Sequence, residues 1–273
     1  MAGTLILCAG PIGNLGDAPP RLAEALSAAD VVYAEDTRRA RVLLGHLGVD
    51  APCRSYFAGN EQQRSSEIAA RLEAGETVAV LTDAGTPGIS DPGLTAVRAA
   101  VAAGAVVTGV PGASAVTLAL AVSGMPADRF AFEGFLPRSG RDRTDRLAAI
   151  ATETRTTVLF CSPRRLAADL ADLAAAGPDR PCVVCRELTK VHEEVWRGTL
   201  SAAVQHWTDV AARGEVTVVL GGAQPAAPDL DGAEQEALAR IERGERPSAA
   251  VRAVASEQGV PRRELYERVV GDG

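Results

Sequence analysis

The sequence predicts an α/β protein with a mostly parallel N-terminal sheet, a second α/β unit and a small C-terminal helical unit. Three observations support this fold class. Short β-type runs alternate with helical periodicity from the start of the chain, glycine-rich loops follow several of these runs, and residues 233–273 carry only helical patterns. Alternating strands and helices imply a parallel sheet covered on both faces.

The first unit contains four predicted strands, over residues 4–9, 31–34, 77–82 and 106–110. Asn60 and Gln63 have the spacing of a capping box at the start of a helix. A further helix is expected to begin at Pro92, with Leu94, Val97 and Val101 on one apolar face. Each predicted strand of this unit is therefore followed by a loop and a helix.

The second unit contains five predicted strands, over residues 130–135, 157–161, 182–186, 194–197 and 215–220. Ser162 and Pro163 are expected to supply the N-cap and the first-turn proline of a helix. The domain boundaries are predicted at 1–112 and 113–223 for the two α/β domains, 224–232 for a linker with Pro225 and Pro228, and 233–273 for the helical domain. Its helices are expected over 233–243, 248–257 and 261–269, the last two as a helix-turn-helix unit.

Composition describes a globular protein of 273 residues, long enough for two domains, with 47% hydrophobic residues and a mean hydropathy of +0.05. No apolar run is long enough to span a bilayer, and the N-terminus lacks the features of a signal peptide, so a cytoplasmic location is expected. The formal net charge of −7 speaks against a nonspecific nucleic-acid binder.

The five cysteines are scattered along the chain and argue against a disulfide framework. Cys182 and Cys185 form a C-x-x-C within a predicted strand, where the odd offset sends their side chains to opposite faces. No second pair of Cys or His completes a zinc site, so no metal is expected.

Residues 83–93, Asp-Ala-Gly-Thr-Pro-Gly-Ile-Ser-Asp-Pro-Gly, form the most informative segment and directly follow a predicted strand. The glycines permit unusual backbone conformations and let a ligand approach the main chain closely. Asp83 is placed to accept hydrogen bonds from that ligand, because ligands usually bind at the carboxyl ends of strands in α/β sheets. The alternative is an ordinary tight loop with two structural prolines.

A second candidate segment, Glu35-Asp36-Thr37-Arg38, places two carboxylates, a hydroxyl and a guanidinium at the end of another predicted strand. The alternative is that Asp36 or Thr37 caps the following helix. Arginines also cluster at 38–41, 138–146, 164–165 and 262–263, which suits an anionic partner docked at a defined place. Solvated surface charge is the alternative there.

Lys190 is the only lysine among 28 lysine and arginine residues. Arginine stays protonated in proteins, whereas a desolvated lysine can lose its proton, so a position that needs a tunable base could not accept arginine. Chance retention of the lysine is the alternative.

Six motifs in order resemble the small-subunit ribosomal RNA methyltransferase I family of the tetrapyrrole methylase superfamily. The resemblance covers nearly the whole chain and rests on residues 9–15 (Ala-Gly-Pro-Ile-Gly-Asn-Leu), 34–38, 83–93, 111–114 (Pro-Gly-Ala-Ser), 133–137 (Glu-Gly-Phe-Leu-Pro) and 186–190 (Arg-Glu-Leu-Thr-Lys). It implies a two-domain tetrapyrrole-methylase-like fold that binds S-adenosylmethionine (SAM) in the cleft between its domains as a homodimer. It also implies methylation of a cytidine 2′-hydroxyl in the decoding region of 16S rRNA within the 30S subunit.

The resemblance also assigns roles to individual residues. The cofactor would be bordered by Pro11, Ile12, Asp83, Gly85, Thr86, Gly88, Ser114 and Ala115. The RNA would face Asp36, Thr37, Arg38, Arg138, Arg164, Arg165 and Arg186. A ribose hydroxyl is a poor nucleophile at neutral pH, so a base is expected, and the candidates are a neutral Lys190, Glu187 and Glu35.

Two positions depart from the family pattern. Gly10 stands where the family usually has threonine, and Cys161-Ser-Pro-Arg-Arg165 replaces a Glu-Ser-Pro-His-Arg segment. A thiol cannot replace a carboxylate as an ion partner, which puts any essential role of that glutamate in doubt. Two rival functions are methylation of a small tetrapyrrole and a non-catalytic role in ribosome assembly.

Overall fold

The computed structural model describes residues 2–224 and 229–271, which divide into two compact units, Met1–Ala223 and Gln224–Gly273. The first unit contains two five-stranded sheets. Strands β1 to β5 of the first sheet are Thr4–Cys8, Val31–Ala34, Cys53–Ser55, Thr77–Leu81 and Val106–Val110. They lie in the order β3-β2-β4-β1-β5 and are all parallel, as the alternating pattern predicted.

Four helices cover the two faces of this sheet. They are α1 (Pro20–Ser27), α2 (Thr37–Leu47), α3 (Glu61–Glu73) and α4 (Leu94–Ala102). Leu22 of α1 and Leu43 of α2 pack into the core on one face, while Ile68 of α3 and Ala96 of α4 pack on the other. Burial on both faces explains why strands such as β2, with every residue buried, read as continuous apolar runs.

The second sheet is mixed. Its strands β6 to β10 are Phe130–Phe135, Thr156–Cys161, Pro181–Arg186, Glu194–Thr199 and Val216–Leu220, in the order β6-β7-β10-β8-β9. Only β6 and β7 are parallel; the remaining pairs are antiparallel.

One face of the second sheet packs against α6 (Arg141–Thr152), α7 (Leu166–Ala176) and α8 (Leu200–Asp209). The other face packs against α5 (Ala115–Ser123), whose Val116 and Leu120 contact the strands. Helix α5 therefore follows a strand of the first sheet but belongs to the core of the second, and the predicted boundary after residue 112 lies just before it.

The second unit consists of α9 (Leu230–Glu242), α10 (Pro247–Gln258) and α11 (Arg262–Val270). Ala237, Val254 and Leu265 belong to its own apolar core. Gly259 ends α10 in a left-handed conformation, which gives the tight turn expected of a helix-turn-helix. Helix α9 begins inside the segment predicted as a linker, and residues 225–228 of that segment lie outside the described residues.

Several local predictions are wrong for identifiable reasons. Asn60 makes no side-chain cap to α3, because its side chain bonds Phe57 N and Ser55 instead. Ser162 is not an N-cap either, because a turn separates it from α7. Strand β3 and helices α6 and α8 were not predicted: β3 is only three residues long, and the arginine-rich sequence of α6 was read as a polar connector.

Helix α4 turns two of the three residues of its predicted apolar face outwards, while the third, Val97, is partly buried against the core. Leu94 and Val101 are 54% and 64% exposed, whereas Ala96 and Ala100 are fully buried. Two small residues allow the helix to approach the sheet closely, so the larger side chains on the other side do not determine its orientation.

Cys182 and Cys185 belong to two different cores on opposite faces of β8, as their odd offset predicted. All five cysteines are free. Burial raises the pKa of Cys182 to about 12 and that of Cys185 to about 11, so both thiols are inert at neutral pH. No helix among the described residues is long and apolar enough to cross a membrane.

Arg143 should be a major determinant of stability. Its buried guanidinium donates to Asp169 at 2.8 Å, to Asp172 at 2.5 Å and to the carbonyl of Pro137 at 2.8 Å. We expect Arg143→Met to lower the free energy of unfolding by about 3–5 kcal/mol, because it leaves the Asp169 carboxylate buried without its main partner. Urea denaturation measures the change.

Arg146 on the same helix provides the matched control. Its partner is Glu133, and its side chain is 45% exposed, so Arg146→Met should cost no more than about 1 kcal/mol. Equal losses in the two variants would contradict the distinction between buried and exposed ion pairs.

Candidate functional site

The candidate site lies where the strands of the first sheet end and the second sheet faces them. The loops after β1, β2, β4 and β5 meet there because the carboxyl ends of parallel strands share one edge. A cavity of about 400 Å³, the donor-side cavity, opens at this edge, within the usual range for ligand pockets. Its walls include Ile12, Glu35, Arg39, Asp83, Ala84, Gly85, Thr86, Ile89, Asp91, Ser114, Ala115, Val116, Phe135, Phe160, Cys161, Ser162, Pro163 and Glu215.

The loop at 83–93 is folded back on itself. Gly88 N donates to Pro92 O at 3.1 Å. A Cβ added to Gly93 would lie only 2.7 Å from Gly88 N, and Gly93 has φ +153°, so no other residue fits without strain. Gly10 N also donates to Gly85 O at 2.9 Å, which ties this loop to the one after β1.

Asp83 organises the edge through both of its carboxylate oxygens. Oδ1 accepts from Asp36 N at 2.9 Å, and Oδ2 accepts from the Arg39 guanidinium at 3.3 Å. The predicted ligand acceptor is therefore also a structural bridge between the ends of β4 and β2.

Glu35 lies beside this bridge, with a carboxylate oxygen 3.5 Å from the backbone nitrogen of Asp83. Burial raises the pKa of Glu35, and the negative charges of Asp83 and Asp36 raise it further, although the Asp83 N–H and Arg39 oppose them. A carboxylate with a raised pKa is a better proton acceptor than an ordinary one.

Asp91 is a wall residue that the sequence analysis did not select. Burial raises its pKa to about 6, and the negative charges of Glu35, Asp83 and Glu215 contribute. The signal available in the sequence was a carboxylate inside the glycine- and proline-rich loop that begins with Asp83, but its other two acidic neighbours, Glu35 and Glu215, come from distant segments.

Lys190 does not have the environment of a neutral base. Its ammonium donates to Glu187 at 2.8 Å and lies 3.2 Å from Glu215. Partial burial lowers the pKa of Lys190, but the hydrogen bonds and charges of Glu187 and Glu215 outweigh it and raise the pKa above its ordinary value. The expectation of a neutral amine is wrong, because Lys190 is a cation in this structure.

Glu187 is likewise committed to structural contacts. Besides Lys190, it accepts from Glu215 N at 2.9 Å, and the Lys190 hydrogen bond is the main reason that its pKa lies below the ordinary value. Glu187 and Thr189 both have left-handed backbones, with φ of 51° and 68°. Non-glycine residues rarely adopt this conformation, and here it forms the tight turn that presents Lys190.

A second cavity of about 360 Å³, the acceptor-side cavity, adjoins the first. It opens between the loop after β1, helix α2 and the Lys190 side chain. Lys190 packs on Gly13, where an added Cβ would lie 2.5 Å from Lys190 Cγ. Its walls include Gly10, Pro11, Ile12, Gly13, Leu15, Ala34, Arg39, Ala40, Val42, Leu43, Leu81, Thr82, Asp83, Ala84, Lys190 and Glu215.

Most of the predicted cofactor residues line one of these cavities. Six of the eight line the donor-side cavity: Ile12, Asp83, Gly85, Thr86, Ser114 and Ala115. Pro11 lines only the acceptor-side cavity, and Gly88 lines neither cavity.

The residues predicted to face RNA are more scattered. Asp36 accepts from the backbone and side chain of Arg38, so it caps α2 as the alternative interpretation held. Thr37 is the first residue of that helix. Arg186 is paired with Glu194 at 2.9 Å.

The other three residues predicted to face RNA, Arg138, Arg164 and Arg165, lie on the loops after β6 and β7. Arg165 donates to the Arg138 carbonyl at 3.2 Å, and Arg164 is exposed nearby in the chain. Arg143, from the same arginine-rich stretch, is buried and is not available to contact RNA.

The two departures from the family pattern have different consequences. An added Cβ on Gly10 would lie 3.6 Å from Leu81 Cδ1, an ordinary contact, so a Cβ is accommodated at this position. Cys161 is buried, which raises its pKa, and it lines the donor-side cavity as an uncharged wall. Among the described residues, no group of three or more His, Cys, Asp or Glu side chains is arranged to hold a metal ion.

The two sheets and the cavity at their facing edges define a two-sheet α/β protein with a small-molecule site at its strand ends. Residues 4–204 match the family described as Tetrapyrrole (Corrin/Porphyrin) Methylases, and the chain belongs to this family. By family it is a methyltransferase, which confirms the prediction made from the six motifs.

Close relatives carry the name "Ribosomal RNA small subunit methyltransferase I". One from Mycobacterium tuberculosis is 47% identical, covering 98% of this chain and 95% of its own length. Another from Synechocystis is 44% identical, covering 97% of this chain and 96% of its own.

Solved structures share the fold at lower identity. Cobalt precorrin-4 methyltransferase superposes with a TM-score of 0.60 at 20% identity, over 80% of this chain and 94% of its own. Uroporphyrin-III C-methyl transferase from Thermus thermophilus, solved with S-adenyl homocysteine, gives a TM-score of 0.57 at 22% identity, over 80% and 97%. These likenesses confirm the predicted fold.

Asp91 should make stability depend on pH. An unfolded aspartate titrates near 3.8, whereas Asp91 titrates near 6 in the fold. The folded protein therefore binds the proton more tightly, and this contribution to stability is present below about pH 4 and is lost as the pH rises through about 6.

We expect Asp91→Asn to be more stable than the wild type at pH 7–8, with the difference shrinking as the pH falls to about 4. Urea denaturation of both proteins across this range measures it. A difference that is constant with pH would contradict the titration of Asp91.

Gly13→Ala should destabilise the protein, because the new methyl group meets the Lys190 stem and Gly13 has φ +153°. Strain of this kind costs about 1–3 kcal/mol. Urea denaturation measures the loss.

Gly45→Ala is the control. Gly45 is exposed within α2, and nothing lies within 4 Å of an added Cβ, so the substitution should stabilise by about 0.5–1 kcal/mol. A neutral Gly13→Ala would mean that Lys190 does not pack on the loop.

Proposed function

We propose that this protein is a SAM-dependent methyltransferase that methylates the ribose 2′-hydroxyl of a cytidine in the decoding region of 16S rRNA, on the assembled 30S subunit. The observation that supports an RNA substrate is the name "Ribosomal RNA small subunit methyltransferase I", which is shared by relatives 44–47% identical over 97–98% of the chain. The geometry supports it through a cavity at the strand ends that adjoins a second cavity, which is lined by Lys190 and has fewer carboxylates.

The donor-side cavity fits SAM by its chemistry. Apolar walls at Ile12, Val116 and Phe160 suit an adenine ring. The carboxylates of Asp83 and Asp91 suit a ligand that carries positive charge. When bound, SAM supplies a methyl group that its sulfonium has already activated, so the protein mainly has to align the acceptor, which can contribute on the order of 7–11 kcal/mol.

The proposed base is Glu35. Of the three candidates, it alone lines the donor-side cavity, and its carboxylate has a raised pKa. Lys190 holds its proton, and Glu187 is occupied by Lys190 and the backbone of Glu215. Lys190 is better suited to binding an anion than to accepting a proton.

RNA contact is proposed for the arginines at the edges of the cleft. Arg38, Arg138 and Arg164 are exposed and sit on loops or helix starts beside residues that line the donor-side cavity. Because the net charge is −7, we expect local contacts with the shaped surface of a ribonucleoprotein particle instead of general affinity for RNA. A homodimer acting in the cytoplasm remains part of this proposal.

Two other functions are distinguishable. A methyltransferase for a small tetrapyrrole would use the same donor-side cavity, in keeping with the fold of its structural neighbours. A non-catalytic assembly factor would bind without chemistry. Incubation with methyl-labelled SAM distinguishes the three functions. Label enters RNA if the protein is an rRNA methyltransferase, enters a small molecule if it methylates a tetrapyrrole, and stays in SAM if it is a non-catalytic factor.

We expect label to enter 16S rRNA when the protein is incubated with labelled SAM and purified 30S subunits, and mass spectrometry to locate it on a cytidine ribose. Glu35→Gln should lower kcat by about 10²–10⁴-fold, the usual contribution of a general base. Its affinity for SAM, measured by calorimetry, should remain close to that of the wild type.

Glu73→Gln provides the control, because Glu73 is exposed on α3 away from both cavities. It should retain wild-type turnover. Transfer of label to a nucleobase would contradict the 2′-hydroxyl as the acceptor. Full turnover by Glu35→Gln would contradict the assignment of Glu35 as the general base.

A further inference from the structure

The acceptor-side cavity is not explained by donor binding. It has a volume of about 360 Å³, beside the donor-side cavity of about 400 Å³. The two share five wall residues: Ile12, Arg39, Asp83, Ala84 and Glu215. A molecule in one cavity would therefore lie next to a molecule in the other at these shared residues.

The walls of the acceptor-side cavity combine two kinds of surface. Leu15, Val42 and Leu43 form an apolar side that suits the face of a flat ring. The cations of Arg39 and Lys190 lie at the same cavity, together with their carboxylate partners Asp83 and Glu215, and Arg39 is 63% exposed at its side chain. An apolar slot with adjacent cations matches a nucleotide, which has a planar base and an anionic phosphate.

Lys190 is available for this role because of how it is placed. The left-handed turn at Glu187 and Thr189 presents its side chain across Gly13. Its ammonium is held by Glu187 and by Glu215, and its side chain remains 25% exposed, so an incoming anion would compete with the 62% exposed Glu215 carboxylate for it.

We propose that the acceptor-side cavity is the acceptor subsite, which takes one nucleotide extruded from the RNA and sets its ribose against the wall shared with the donor-side cavity. The base stacks on the side formed by Leu15, Val42 and Leu43, and the phosphate pairs with Arg39 and Lys190. Enzymes that act on a nucleotide within a folded nucleic acid generally move it out of its stack into a pocket. This inference rests on the proposed function and adds the position of the substrate.

The test uses tryptophan substitutions that obstruct one cavity at a time. Val42→Trp obstructs only the acceptor-side cavity, and Ile89→Trp only the donor-side cavity. Val101→Trp is the matched control: Val42 and Val101 are both helical valines, 63% and 64% exposed, and Val101 lines neither cavity. Thermal melting first establishes that each variant is folded.

Two quantities are then measured for each protein: SAM affinity by calorimetry, and kcat/KM for methyl transfer to 30S subunits. Val42→Trp should lower kcat/KM by about tenfold or more, the scale on which a poorly fitting group is rejected by a shaped pocket, while leaving SAM affinity within about twofold. Ile89→Trp should weaken SAM binding, and Val101→Trp should change neither.

Three outcomes would overturn the inference: wild-type kcat/KM in Val42→Trp, weakened SAM binding in Val42→Trp, or equal loss of kcat/KM in Val101→Trp. Weakened SAM binding would assign the cavity to the donor. If Val42→Trp does not fold, Leu15→Trp, on the same apolar side and 37% exposed, replaces it. Absence of transfer by the wild type would instead refute the proposed function.

Discussion

The carboxylate of Asp83 is the interaction on which the rest of the site depends. It accepts from the backbone of Asp36 and from the side chain of Arg39, so it fixes the end of β4 to the start of α2. Glu35 is positioned between these two segments, and Arg39 and Asp83 themselves form part of both cavities. One side chain thereby sets the distance between the walls on which donor and acceptor would meet.

The chemistry of the cleft follows from gathering carboxylates around that interaction. Glu35, Asp91 and Glu215 come from different loops but line the same cavity. Burial raises the pKa of Glu35 and of Asp91; the charges of Asp83 and Asp36 raise that of Glu35 further, and those of Glu35, Asp83 and Glu215 raise that of Asp91. Arg39 is paired with Asp83, and Lys190 is paired with Glu187 and Glu215. The cleft thus places a carboxylate with a raised pKa, that of Glu35, where the proposed methyl transfer to a weak nucleophile would need a proton acceptor.

Much of the fold was predictable from the sequence because its signals are local. The strands of the first sheet are buried on both faces and appear as short apolar runs, and the loop at 83–93 needs glycine at Gly85 and Gly93 for its backbone alone. The failures depend on tertiary contacts. Asn60 bonds outside its helix, Leu94 is turned outwards by two alanines, and α6 resembled a loop because Arg143 satisfies its charge in the interior.

The same distinction holds within the candidate site. Most of the cofactor residues could be predicted because they lie in contiguous motifs at strand ends. The protonation state of Lys190 could not, since Glu215 is far from it in sequence and approaches it only in the fold. Asp91 was overlooked for a similar reason: of the three carboxylates that raise its pKa, only Asp83 lies in its own segment, and Glu35 and Glu215 approach it only in the fold.

The order of the strands has a consequence for how the chain reaches its native state. All strands of the first sheet and the four helices that cover it lie within residues 4–110, and the chain passes to the second sheet only once, through the segment before α5. During synthesis the N-terminal half can therefore bury both faces of its sheet before the other half has emerged from the ribosome. Helix α5 then offers a preformed apolar surface on which the later strands can assemble.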